Sequence, residues 1–371
     1  MKFEVSSTEL LKNLNLAYTT ITPNPLLPVA EDFLMKLDGN VLSIKATNLE
    51  VTISTSFEVT GLDDGAIAVP AKKFYETLKA LPDQPISFEV EPENNSIKLA
   101  SAYGVYRLGG DNPDEFPATI ERDNTESFSF NAGSLSQAFA KTIFAASSDD
   151  MKPNMNGVLV QVDFNKIIFV ASDGHKLVKY TFGNINSEIS NSFILHKKCI
   201  GIVQKALEND VNVDISFNTK NAFFDINGTL ITCRLIDGKF PDYNAVIPVD
   251  NPNVLTLNRR DFLNALRRLS IYSNQSTYQV ILNISDGSLT MSAKDLDFSN
   301  EATEQMPCKY EGEPMLIGFN AKFMAEMLSV LDTEEVYINL SQSNRPGIMV
   351  PSDEPDDESL MMLVMPILVN N

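Results

Sequence analysis

The feature that most constrains this chain is a threefold internal repeat with a spacing near 125 residues. The segment 6–18 sets Leu10, Leu11, Leu14 and Ala17 on one helical face, and Ser6 with Glu9 has the spacing of a capping box. Similar segments recur at 131–148 (Leu135, Phe139, Ile143) and 258–274 (Phe262, Leu266, Leu269), placing Leu10, Leu135 and Phe262 125 and 127 residues apart. A second helix repeats at 71–81, 196–209 and 320–331 and aligns Lys73, Lys198 and Lys322. Alternating segments between the helices read as strands, also in triplicate: 42–48, 167–173 and 289–295, with Ala46, Ala171 and Ala293 in step. Each unit is too long for a solenoid repeat and long enough for a core of its own. The pattern predicts an α+β protein of three similar domains, 1–122, 127–248 and 253–371, each with two helices packed on antiparallel sheet. Polar linkers fall at 121–126 and 248–253.

Charge is divided unevenly over this framework. The 371 residues carry 29 basic and 49 acidic side chains, a net of −20, which taken alone argues against a nucleic-acid ligand. The six predicted helices, however, hold thirteen basic residues against five acidic ones, leaving sixteen basic and forty-four acidic elsewhere. A lysine-rich solvated face is the ordinary reading of any single helix. Six helices depleted of acids in so acidic a chain instead suggest one positive wall for a polyanion. With no zinc finger, RNP or helix-turn-helix signature, the contacts would be to phosphates and independent of base sequence.

Catalytic patterns are missing: no Walker loop, GxGxxG, GxSxG or HExxH occurs. The two histidines, His175 and His196, have no metal-ligand spacing, and Asp149-Asp150 and Asp353-Glu354 read as solvated loop acids. Asp173-Gly174-His175 reads as a tight turn with Gly174 at positive φ. Cys199, Cys233 and Cys308 form no CxxC pair, which fits a reducing compartment without disulfide or zinc. The longest apolar run, 360–369, contains Pro366 and is too short to cross a bilayer. These observations predict a soluble, cytoplasmic binding protein with no catalytic residues, metal or cofactor.

The run Ala171-Ser172-Asp173-Gly174-His175-Lys176-Leu177, then Asp237-Gly-Lys-Phe-Pro-Asp-Tyr243, Ile317-Gly-Phe-Asn320 and Val364-Met365-Pro366, with Leu108 and Phe116-Pro117 in the first repeat, resembles the bacterial DNA polymerase III beta subunit family, the sliding clamps. The motifs lie in order over the whole chain. The resemblance implies a head-to-tail homodimer whose six domains close into a ring around double-stranded DNA, helices inward and sheets outward. Such a non-catalytic processivity factor tethers the replicative polymerase. Implied partners are the polymerase III alpha subunit, the clamp-loader delta subunit, and other polymerases and repair proteins that dock by short peptide motifs.

Site residues follow from the same resemblance. A peptide pocket between the second and third domains would use Met155, Ser172, Gly174, His175, Lys176, Leu177, Pro241 and Val246. Its remaining members would be Asn320, Phe323, Pro346, Leu363, Val364, Met365, Pro366 and Ile367. DNA would be faced by Lys12, Lys72, Lys79, Lys141, Lys152, Lys197, Lys198, Lys205, Arg259, Arg267 and Arg268, with Lys197, Lys198 and Arg267 expected in solvent. The dimer contact would join Tyr106, Leu108 and Lys73 to Ile271, Tyr272, Glu301 and Glu304, although Tyr106 and Leu108 also read as plain strand core. Departures from the family pattern are Ala245 where arginine is common, a tail at 368–371, and Asn24, Pro153 and Asn154 near the DNA face. The acidic loop 353–358 is expected to steer basic partners to the pocket. Two other readings are a multidomain peptide-binding scaffold without DNA encirclement and a hydrolase with no recognisable nucleophile set.

Overall fold

A computed structural model describes residues 1–91, 93–185, 187–207 and 211–369. Glu208 and Asn209, expected in the fourth helix, and Asn370 and Asn371 of the tail lie outside the described residues. The helices are α1 Ser7–Tyr18, α2 Ala71–Ala80, α3 Ala132–Thr142, α4 Lys197–Ala206, α5 Arg259–Tyr272 and α6 Ala321–Ser329. The first repeat supplies strands β1 Lys2–Ser6, β2 Asp32–Asp38, β3 Val41–Thr47, β4 Val51–Glu58, β5 Thr60–Asp63, β6 Gly65–Pro70, β7 Pro85–Glu91, β8 Ser96–Ser101 and β9 Gly104–Gly109. The second supplies β10 Glu126–Asn131, β11 Gly157–Asp163, β12 Lys166–Ser172, β13 Lys176–Phe182, β14 Asn191–His196, β15 Asn212–Phe217, β16 Asn221–Ile226 and β17 Thr229–Arg234. The third supplies β18 Asn253–Asn258, β19 Gln279–Ser285, β20 Ser288–Asp295, β21 Asn300–Met306, β22 Lys309–Glu311, β23 Met315–Asn320, β24 Glu335–Leu340, β25 Gly347–Pro351 and β26 Glu358–Val364.

Local chemistry accounts for the helix ends. Ser6 Oγ accepts from the backbone N–H groups of Thr8 and Glu9 at the start of α1. Asn258 and Asn320 cap α5 and α6 in the same way. The third helix stops at Thr142, earlier than the periodicity predicts. Thr142 Oγ1 donates back to the Ala138 carbonyl at 2.6 Å, a 3-10 turn Ile143–Ala145 follows, and the Ser147 N–H leaves to bond the Met155 carbonyl at 2.9 Å. The apolar faces are buried as the spacing requires: Leu10, Leu14 and Ala17 in α1, and Phe262, Leu266 and Leu269 in α5.

Two compact units gather these elements, Met1–Ser136 with Lys198–Leu235, and Gln137–Lys197 with Ile236–Asn371. The first unit holds a five-stranded sheet, β5-β1-β7-β8-β9, and an eight-stranded sheet, β10-β15-β16-β17-β4-β3-β2-β6. The second holds a nine-stranded sheet, β14-β11-β12-β13-β26-β25-β24-β18-β22, and a four-stranded sheet, β21-β20-β19-β23. The pairings that join repeats are antiparallel. Ile231 faces Ile53 where β17 meets β4, and Leu177 faces Leu363 where β13 meets β26. At both joints the last strand of one repeat lies against the fourth strand of the repeat before it.

Candidate functional site

Within the second unit, the joint between β13 and β26 forms one wall of an apolar slot. The turn before β13 is built by side-chain bonding to its own backbone. Ser172 Oγ accepts from the Gly174 N–H and donates to the Lys176 carbonyl, while Asp173 Oδ1 accepts from the N–H groups of His175 and Lys176. Gly174 has φ +92°, the left-handed region that favours glycine. The His175 carbonyl then accepts the Met365 N–H at 2.9 Å, fixing the chain just beyond β26. A similarly close approach holds the tail: Ile367 donates to the Gly318 carbonyl, and a Cβ on Gly318 would stand 2.7 Å from the Ile367 carbonyl oxygen.

The slot encloses about 180 Å³ and is lined by Met155, Ser172, Gly174, His175, Lys176, Leu177, Phe240, Pro241, Asp242, Tyr243, Val246, Leu363 and Met365. Ten of the sixteen expected pocket residues line it. The other six do not. Asn320 caps α6, and the Pro346 carbonyl accepts from Asn251. Val364 is buried in β26, whereas Pro366 and Ile367 follow Met365 along the tail. Phe323 stacks on His175 at 6.4 Å. Phe240, Asp242 and Tyr243 are lining residues that the sequence reading missed. Their signal was present in the run from Asp237 to Tyr243, from which only Pro241 was assigned to the slot.

Electrostatics stiffen this wall. Lys176 is 5% exposed, and its ammonium bonds Glu326 of α6 and lies 3.9 Å from Asp173. The same ammonium sits 4.5 Å from the ring centre of Phe323 and 5.6 Å from that of Phe144. Tyr243 donates to Gln161 Oε1 at 2.5 Å, and burial pushes its hydroxyl pKa up. What remains open to a ligand is mainly apolar surface, with Met365 40% and Val246 51% exposed.

In the acidic loop 353–358 two of the five acids are engaged within the chain, while Asp353, Asp356 and Asp357 are exposed. Glu358 accepts from the buried Tyr180 hydroxyl, and Glu354 accepts from the Leu360 N–H. Together with Asp332, Asp353, Lys141 and Tyr180 these acids line a separate cavity of about 210 Å³. Satisfying a buried phenol and a strand N–H turns two of the loop's acids inward.

Among the residues expected to face DNA, Lys12, Lys72, Lys79, Lys152, Lys198, Lys205, Arg267 and Arg268 are exposed. Of these, Arg268 is paired with Glu304, Arg267 donates to Ser329 Oγ at 3.2 Å and Lys198 lies 4.0 Å from Glu50. The other three are less exposed and are also engaged within the chain. Lys141 lies over the Tyr180 ring at 4.9 Å, and Arg259 donates to the Thr333 and Leu328 carbonyls. Contrary to the expectation of a solvated side chain, Lys197 is half-buried and donates to Ser147 O at 2.9 Å and Ser148 Oγ at 2.7 Å. Its ammonium closes the loop that follows α3.

Of the expected interface residues, Tyr106, Leu108, Glu301 and Glu304 lie on the edge strands β9 and β21, and Lys73, Ile271 and Tyr272 on helices. Tyr106 and Leu108 are half-buried on β9, the last strand of its sheet, opposite the buried Leu99 and Ile97 of β8. Ile271 and Tyr272, 69% and 44% exposed, end α5, which packs against β19, β20 and β21. Lys73 is exposed. The acids proposed to meet it have partners in their own chain: Glu301 pairs with Lys294 at 2.8 Å, and Glu304 takes both Arg268 nitrogens at 2.8 and 2.6 Å. Among the described residues no helix is long and apolar enough to cross a membrane.

Three joined α+β repeats, an apolar slot and a basic helix population suit a protein that docks apolar ligands and meets a polyanion. Family comparison gives it a place. Residues 1–120, 130–242 and 244–368 match the N-terminal, central and C-terminal domains of the DNA polymerase III beta subunit. The chain belongs to that family and is a DNA sliding clamp, the non-catalytic processivity subunit of DNA polymerase III. A Vibrio cholerae beta sliding clamp is 28% identical over 370 residues, covering 99% of this chain and 100% of that one. The crystal structure of the Pseudomonas aeruginosa subunit superposes with a TM-score of 0.94 at 29% identity over 100% of both chains. A second Pseudomonas aeruginosa structure, bound to griselimycin, gives 0.93 at 29% identity, again over 100% of both.

Proposed function

We propose that two copies of this chain join head to tail into a ring that encircles duplex DNA, with β9 of each copy pairing against β21 of the other. The free strand edges carry this reading. Repeat joints pair strands beginning at residues 229 and 358 with strands beginning at 51 and 176. The first repeat keeps the equivalent last strand, β9, as an outer edge, and the third keeps the equivalent fourth strand, β21. A second copy supplies the missing partner for each. Exposed apolar side chains beside both edges support it: Tyr103 (73%) and Val105 (50%) near β9, Leu296 (87%) and Phe298 (74%) before β21. Two identical heterologous contacts then close the assembly.

On this reading the domains run 1–122, 127–248 and 253–371, and the exposed lysines and arginines of the helices provide weak phosphate contacts. Encirclement replaces tight binding, so the protein slides while its acidic outer surface stays away from DNA. The slot around Leu177 and Met365 takes short peptides with leucine and aromatic anchors from the polymerase III alpha subunit, the clamp-loader delta subunit, and other polymerases and repair proteins in the cytoplasm. Its apolar lining supports this. The test is retention after loading on nicked circular DNA before and after linearisation, together with solution mass. A dimer of twice 41.0 kDa that is lost on linearisation is expected. A monomer, or equal retention on linear DNA, overturns the ring.

A further inference from the structure

In the first unit, β9 runs directly into a connector that is tied down at its start. The Gly110 N–H bonds the Asn95 carbonyl at 2.9 Å, and Asp111 exchanges backbone bonds with Ala68 of β6 at 2.9 and 3.3 Å. Gly110 has no room for a side chain, since a Cβ there would stand 2.9 Å from Ile67 and Ile97. Further on, Phe116 is buried with Val29 and Ala68.

Beside this anchor lies a carboxyl group in an unusual position. Asp32, the first residue of β2 and 4% exposed, pairs with Pro70 of β6. Its Oδ2 is one of two buried side-chain oxygens among the described residues that lack a hydrogen-bond partner. The neighbour within hydrogen-bonding reach is another acid, Asp111, whose side chain is exposed. Two ionised carboxylates both accept and cannot bond each other. One proton between them turns the orphan oxygen into half of an acid–carboxylate hydrogen bond.

We propose that Asp32 keeps its proton and donates it to the Asp111 carboxylate, and that this bond latches the connector at the root of β9 onto β2 and β6. The surrounding charges favour it. Glu31 adds negative potential while its own Oε1 accepts the Asn24 N–H, and β6 carries no titratable side chain. From β3, Lys45 donates to Thr119. α2 packs its Ala71, Phe74 and Leu78 inward and leaves Lys72, Lys73, Glu76 and Lys79 in solvent. Burial first, then Asp111 and Glu31, raise the Asp32 pKa to about 7.

The sign follows from linkage. An unfolded Asp loses its proton near pH 4, roughly, whereas the folded one holds it to about 7. Between those values the folded state binds the extra proton, so the latch is fully present at low pH and is lost as pH rises through 7.

Hydrogen exchange of the full-length protein tests this at the Asp111 amide, compared at about pH 6 and about pH 8.5 after correction for intrinsic exchange. Wild type should lose protection roughly tenfold on going to the higher pH. Asp32→Asn should hold equal protection at both, because its amide donates to Asp111 without a proton. Asp111→Asn, donating the other way, should do the same and serves if the first variant folds poorly. A pH-independent wild type, or the same pH-dependent loss in both variants, overturns the proposal. So does full recovery of wild-type protection at high pH on adding magnesium chloride, which would make the pair a cation site.

Discussion

Met365→Ala and Leu177→Ala should separate peptide affinity from fold stability, because the two side chains share the slot but divide their surface differently. Met365 is 40% exposed, while Leu177 is 2% exposed and packed among Leu159, Ile168, Val170 and Leu363. Fully burying a methionine side chain is worth ~1.5–3 kcal/mol, so the exposed two-fifths leave ~0.6–1.2 kcal/mol for a ligand to gain. Met365→Ala should therefore weaken binding roughly three- to eightfold. The cost to the fold should be about 1 kcal/mol, since the Met365 N–H keeps its bond to the His175 carbonyl. Leu177→Ala reverses the balance. It leaves a cavity in the core and should cost about 2–4 kcal/mol of stability. With almost no surface for a ligand to cover, it should change affinity less than about twofold, provided the slot keeps its shape. Fluorescence anisotropy with a labelled peptide from the polymerase C-terminus gives the affinities, and urea unfolding gives the stabilities. Wild-type affinity in Met365→Ala, with the peptide still bound, would show that the ligand sits elsewhere.

Replacing Lys198, Lys205 and Arg267 with glutamate should lower the salt slope of duplex binding by about 1 for each phosphate no longer neutralised, without changing the dimer. An unchanged slope would remove the helices as the DNA-facing surface. Tyr106→Asp with Leu108→Asp should halve the mass seen in sedimentation while circular dichroism stays native, because neither carboxylate can be desolvated cheaply against a partner strand. A persistent dimer would place the interface away from β9. Lys176→Met should lower stability by about 1–2 kcal/mol, discounted from a fully buried pair because the Glu326 side chain is 46% exposed. Adding Glu326→Gln should recover part of that loss in urea unfolding, and no recovery would argue against the ion pair as its cause.

Much of the fold was legible because each repeat states its helices by apolar spacing and its caps by side-chain chemistry. Ser6, Asn258 and Asn320 stand at the three capped starts. The end of α3 was not legible, because it depends on Thr142 bonding backward and on Ser147 being drawn to Met155, a partner eight residues on. The slot was partly legible through the run from Ser172 to Leu177. Tyr243 and Phe240 escaped because a lone aromatic near Pro241 reads equally as core. The engagement of Lys141, Lys197 and Arg259 was invisible, since each is held by a carbonyl or a ring brought close only by the fold.

The repeat also lets the joint that lines the slot be compared with its counterpart in the first unit. The turn is chemically the same at both. Thr47 Oγ1 accepts from the Leu49 N–H as Ser172 Oγ does from Gly174, at 3.1 Å in each case. Asn48 Oδ1 accepts from Glu50 and Val51 as Asp173 does from His175 and Lys176. Leu49 even shares the positive φ, +72° against +92° at Gly174. What differs is the side chains that follow. Where β13 begins with Lys176 and Leu177, β4 begins with Val51 and Thr52, and Thr52 faces Thr232 across the joint instead of one leucine facing another. Glu50 takes the place of His175 and lies 4.0 Å from Lys198. Keeping the backbone device while exchanging leucine for threonine and histidine for glutamate leaves a polar seam in the first unit. An apolar anchor would gain little by covering such a seam, since it would strip water from a hydroxyl and a carboxylate. The turn builds the joint; the residues after it set the surface that the joint offers.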